Sequence, residues 1–91
     1  MKHPEYKPVS LMGCTLQMTC GACPEQYDVF RNGSQVGYLR LRGGTFRAHH
    51  GECGGPKVYE SETEGDGSFE DSERLEHLTK AVTALLEYEH T

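Results

Sequence analysis

Tyr27, Arg31, Tyr38, Arg40, Arg42, Arg47 and His49 crowd the middle of this chain. Arginines beside exposed tyrosines suit a phosphate backbone with stacked bases, or an acidic partner protein. The same residue types are enriched in interfaces, so a homodimer through this surface is a second expectation. The plainer alternative is a solvated sheet face whose arginines pair with Glu60 and Glu62 of a neighbouring strand.

Two other groups have the composition of metal sites. Cys20, Cys23, His50 and Cys53 follow the spacing C-x2-C-x26-H-x2-C, which resembles the paired knuckles of a zinc ribbon. In a simple meander, however, the loops that carry the two halves lie at opposite ends of the sheet. Six-residue strands would hold them roughly 20 Å apart. The plainer reading makes Cys14 and Cys20 small core residues and leaves Cys23 and Cys53 incidental. Residues 62 to 73, ETEGDGSFEDSE, resemble a calcium-binding EF-hand loop, with oxygen donors at Glu62, Glu64, Asp66 and Glu73 and Gly67 at the sharp turn. Glu stands where that loop has Asp at its first and third positions, and a strand precedes it instead of a helix. The plainer reading is an acidic turn that feeds a helix N-terminus.

No catalytic constellation is evident. His49 and His50 lack a nucleophile partner, no glycine-rich phosphate loop follows a strand, and neither an enzyme nor a cofactor is expected. The net charge is −5, unevenly spread: residues 1–56 carry +2 and residues 57–91 carry −7. That acidity argues against non-specific nucleic-acid binding while leaving the arginine-bearing stretch basic. No run approaches the length of a membrane-spanning helix. Leu11-Met12-Gly13-Cys14 looks like a lipoprotein cleavage box, but the polar KHPEYKPVS before it cannot serve as a signal core. The expectation is a cytoplasmic protein with reduced thiols.

These side chains must be positioned by strands. Asn32-Gly33 is the strongest short hairpin signal, since both residues tolerate the positive φ of a type I′ turn, and Gly43-Gly44 offers a second. Strict alternation then places Val29 opposite Val36 and Tyr27 opposite Tyr38, then Leu41 opposite Phe46 and Arg40 opposite Arg47. The core face would carry Phe30, Leu39, Leu41, Phe46 and Ala48. The other would carry Tyr27, Val29, Arg31, Tyr38, Arg40, Arg42, Arg47 and His49. Gly37 sits on the core face, where its missing side chain admits a close neighbour, expected to be the C-terminal helix.

Residues 1–10 read as a flexible lead-in to a single domain over 11–91. Cys14, Leu16, Met18 and Cys20 alternate as the apolar side of a first strand, and residues 57–63 read as the last. From about Glu70 to Glu89 the period becomes 3.6. Leu75, Leu78, Val82, Leu85 and Leu86 form a stripe, Ser68 or Asp71 caps the start, and Glu76 is spaced to pair with Lys80. The fold class is α+β: an antiparallel meander of four to five strands with one C-terminal helix packed on one face.

The stretch PEQYDVFRNGSQVGYLRLRGGTFR is similar to a pattern in small uncharacterised proteins carried by phages, plasmids and integron gene cassettes. That resemblance implies a compact, independently transferable module that binds a partner and is not an enzyme.

Overall fold

Hairpin turns set this architecture. A computed structural model describes residues 7–21 and 24–89. Its elements are β1 (Val9–Leu11), β2 (Cys14–Gly21), β3 (Glu25–Arg31), β4 (Ser34–Arg42), β5 (Thr45–His50), β6 (Lys57–Glu62) and α1 (Asp71–Glu89). Each strand pairs antiparallel with its sequence neighbours, giving a six-stranded meander in chain order. Asn32-Gly33 and Gly43-Gly44 have positive φ at both positions, as the two-residue turns require. A third such turn is Met12-Gly13, at φ 54° and 80°. It adds β1, so the sheet has one strand more than five, and the strand begins inside the expected lead-in. Residues 1–6 of that lead-in lie outside the described residues.

Bulges sort the two faces. After Asn32-Gly33 the expected register holds for Arg31↔Ser34 and Phe30↔Gln35, then Val36 is passed over and Val29 pairs with Gly37. One extra residue on one strand shifts every later pair by one and exchanges the faces of the partner strand. Tyr27 therefore opposes Leu39, not Tyr38, and Tyr27 and Val29 lie buried on the covered face. Phe30 moves the other way and is half-buried opposite Thr15 and Gln35. Registers also shift between Met18 and Cys20 and between Ala48 and His49. The first places Cys20 opposite Gln26, off the apolar row expected to hold it.

The covered face carries Leu16, Tyr27, Val29, Leu39, Leu41, Phe46 and Ala48, and α1 lays Leu78, Ala81, Val82 and Leu85 against it. At Gly37 the helix packs closely: a Cβ there would lie well inside contact of the Leu85 methyl groups. Leu75 departs from the expected stripe and is 65% exposed. Arg74 takes the inward place of the first turn instead, four residues before Leu78.

The reason is Glu25. Its fully buried carboxylate accepts hydrogen bonds from the Tyr27 hydroxyl, from Arg74 Nε at 2.9 Å and from the Phe69 backbone N–H at 2.9 Å. A buried charge is tolerable when its lone pairs are met in this way. The segment between β6 and α1 is stitched to the same end of the sheet. Gly44 N–H donates to Asp66 O, Thr63 N–H to Gly44 O, Glu25 N–H to Gly67 O, and Ser68 Oγ to Gly21 O. Ser68 is thus used across the fold, and the helix start is capped by Glu73 reaching back to the Glu70 N–H at 2.9 Å. The expected Glu76–Lys80 pair forms at 2.9 Å.

At its far end α1 has no basic residue in the last turn. The sheet supplies the partners there. His50 Nε2 lies 2.8 Å and Arg31 Nη1 3.7 Å from the Glu89 carboxylate, beside the negative end of the helix dipole.

Two measurements test this arrangement. Leu41→Ala removes a fully buried side chain and is expected to cost about 2–5 kcal/mol in chemical denaturation; a loss under about 1 kcal/mol would belong to a surface position. Burial, then the hydrogen bond to Glu25, pushes the Tyr27 phenol above its ordinary range. The unfolded chain releases that proton near pH 10, whereas the folded chain holds it. The stabilisation is therefore complete below about pH 10 and is lost as pH rises through the folded value. Tyr27→Phe should flatten the alkaline decline in stability, leaving the smaller share due to Tyr38, whose phenol is also raised, chiefly by burial.

Candidate anion-binding site

The uncovered face of the sheet is organised in cross-strand rows. One runs Gln26, Arg40, Arg47, Glu60; the next runs Asp28, Tyr38, His49, Lys57. Arg42 follows Arg40 on the same face, opposite Thr45. Directly opposed like charges destabilise a sheet, and Arg40 and Arg47 are so opposed.

The loop after β5 builds a wall beside these rows. It is closed by His50 N–H to Pro56 O at 2.8 Å and Gly55 N–H to Glu52 O at 2.9 Å, and anchored by Gly51 N–H to Val36 O. His49 Nδ1 lies 2.9 Å from Gly55 O. A carbonyl only accepts, so Nδ1 carries the hydrogen and donates. The result is a depression of about 320 Å³ lined by Tyr38, Arg40, Arg42, Arg47, His49, Cys53 and Gly54.

Its charges are only partly met from within the fold. Arg47 stands 3.7 Å from Glu60, but both are substantially exposed and Glu60 is also hydrogen-bonded to Lys57. That bond, ahead of the charges of Lys57 and Arg47, holds the Glu60 carboxyl below its usual value. Arg40 Nε is buried with no hydrogen-bond partner among the described residues. The Tyr38 hydroxyl donates to Gln26 Oε1 at 2.8 Å, and its ring stands 6.4 Å from that of His49. Asp28, in the same row as Tyr38, accepts from Gln35 Nε2 at 3.1 Å. Such a hollow offers guanidinium forks and an aromatic wall, with no carboxylate among the described residues that line it, which is what an anion needs.

Of the seven residues expected on this surface, Tyr38, Arg40, Arg42, Arg47 and His49 come together. Tyr27 and Arg31 do not. The Val36 bulge turns Tyr27 under the helix, and Arg31 is spent on Glu89. Cys53 and Gly54 join the site unforeseen, because glycine content marks a loop without saying over which face it folds.

The metal readings fare differently. Cys20 lies near the β2–β3 end of the sheet, whereas His50 and Cys53 lie at the opposite end, and His50 is engaged with Glu89. Cys23 lies outside the described residues. In the acidic loop, Glu73 is turned inward. Its carboxylate accepts the N–H groups of Glu64, Gly65 and Glu70 and sits 3.4 Å from His77 Nε2. Burial alone would raise its pKa, but these donors hold it below the ordinary carboxylate value. Asp66 lies instead beside Arg42 and Gly43, apart from Glu62 and Glu64. Among the described residues no three His, Cys, Asp or Glu side chains are grouped to hold a metal ion. None of the described helices is long and apolar enough to cross a membrane.

A scan against protein-family models finds no match, and comparisons with curated proteins and with solved structures find none either.

The opposed arginines give a measurable consequence. Without ligand, Arg40→Gln should raise stability at low salt by some tenths of a kcal/mol, and the gain should shrink as ionic strength rises. Denaturant melts at two salt concentrations read this directly; destabilisation would show that the guanidinium is already satisfied within the fold.

Proposed function

We propose that this protein is a small binding module whose uncovered sheet face, centred on Arg40 and Arg47, takes up an acidic or phosphorylated partner. The observation that carries the reading is the buried, unpartnered Nε of Arg40 directly beside a second arginine. A fold retains such an arrangement at a cost when no counter-charge arrives, because a buried donor to a charged group is expensive to leave unmet. Arg42 extends the positive field, and Tyr38 and His49 supply ring surface beside it. The division of charge within the molecule supports the same reading. Arg31 and Arg74 are consumed by Glu89 and Glu25 on the covered side, whereas on the uncovered side Arg47 meets Glu60, which Lys57 shares. The resemblance of the central stretch to small mobile-element proteins belongs with this reading, as a compact binder.

The test uses a fluorescent peptide of alternating Asp and Glu at low ionic strength. The wild-type protein should bind it with an affinity that falls with added salt. Arg40→Glu combined with Arg47→Glu should abolish binding while the far-ultraviolet circular dichroism and the melt stay native. Unchanged binding by that variant removes the proposal.

A further inference from the structure

Resting on that reading, we infer that the ligand presents one compact phosphoryl group, a phosphate monoester dianion, and not an extended polyanion.

Three features of the site argue for this. The first is size. The hollow, about 320 Å³, falls at the lower end of the range for small-molecule pockets, enough for one phosphoryl group and part of what carries it. The second is charge. Arg40, Arg42 and Arg47 line the hollow with no carboxylate among its described lining residues, and Glu60, beside Arg47 at its edge, is itself shared with Lys57. The excess suits a group bearing nearly two negative charges, as a phosphate monoester does at neutral pH, better than a single carboxylate. Guanidinium forks also match the paired oxygens of a phosphate, where a lysine would act only as a point charge.

The third feature is the perimeter. Negative groups border the hollow on several sides: Asp28, which feels the charge of Glu52, Glu60 and Glu62 along β6, and Asp66 beyond Arg42. A nucleic-acid strand that left the hollow in those directions would lay successive phosphates against carboxylates. Duplex DNA carries a charge about every 1.7 Å of its axis, so such clashes repeat. The chain's overall charge of −5 adds to the repulsion. A single phosphoryl group escapes it by ending within the arginine field.

The test is a titration of the full chain, followed by amide chemical shifts, with five probes at low ionic strength. They are inorganic phosphate, a phosphoserine peptide, glucose 6-phosphate, the acidic peptide used above, and oligothymidylates of increasing length. The three phosphoryl probes should compete for one site at 1:1 stoichiometry and shift the amides of Tyr38, Arg40, Arg47 and His49. Arg40→Gln and Arg47→Gln, each with a native amide spectrum, should weaken them about tenfold or more, the scale of one lost charge-assisted interaction. Tighter binding of the phosphoserine peptide than of inorganic phosphate assigns the group to a protein, and tighter binding of glucose 6-phosphate assigns it to a metabolite; either supports the inference. Oligothymidylate affinity that climbs with length, or equal affinity for the acidic and phosphorylated peptides, overturns the inference and leaves the anion-binding face standing. Silence from all five probes overturns both.

Discussion

One buried carboxylate fixes the relation of helix to sheet. Glu25 stands on the covered face of β3 with no exposure to solvent, and Tyr27, Arg74 and the Phe69 amide between them meet its oxygens. The Arg74 guanidinium is held strongly protonated, first by the hydrogen bond to Glu25. Removing one partner of a buried ion pair typically costs several kcal/mol because the other is stranded. Apolar packing alone is non-directional and would let an amphipathic helix slide or rotate over the apolar face of a sheet. A carboxylate with directional demands does not, and it settles both where α1 starts and which residue of the first turn points inward.

From that anchor the rest follows. The far end of α1 falls over Arg31, Gly37 and His50, where the sheet offers Glu89 a guanidinium and an imidazole and leaves the space that Leu85 needs. Phe69, held by the same network, stacks on His77 and meets Phe46 edge-on at 4.8 Å. The charges of the covered side are thereby consumed in construction. On the other side Arg47 meets Glu60, which Lys57 shares, and Arg40 Nε has no hydrogen-bond partner among the described residues.

Much of this was legible in the residues. Asn32-Gly33 and Gly43-Gly44 announce their turns because few other pairs accept positive φ twice. Gly37 marks the close helix contact because an absent side chain in the middle of a strand needs a reason. Leu78, Val82 and Leu85 show the helical period plainly. What escaped was what alternation cannot encode. A bulge such as that at Val36 has no obligatory residue type, and it sent Tyr27 and Val29 to the face opposite to the one expected. Met12 is an unusual residue for a left-handed turn position, so β1 stayed hidden in a polar lead-in. Glu25 drew no notice, since nothing local reveals that its partner waits in the helix. That partner also explains why Leu75 is displaced from the stripe. The arginine cluster survived the slip because Tyr38, Arg40, Arg42, Arg47 and His49 all belong to the one hairpin whose register has no bulge over those positions.

The meander has a kinetic corollary. Each strand bonds to the one just made, so the sheet assembles by short-range zippering, which is the fast regime of folding. The link from Glu25 to Arg74 spans 49 positions and cannot close until the last element has left the ribosome. Until then Leu39, Leu41 and Phe46 face water on a half-built sandwich, an adhesive surface at cellular concentrations. The promptness with which α1 lands therefore sets how long that surface stays open.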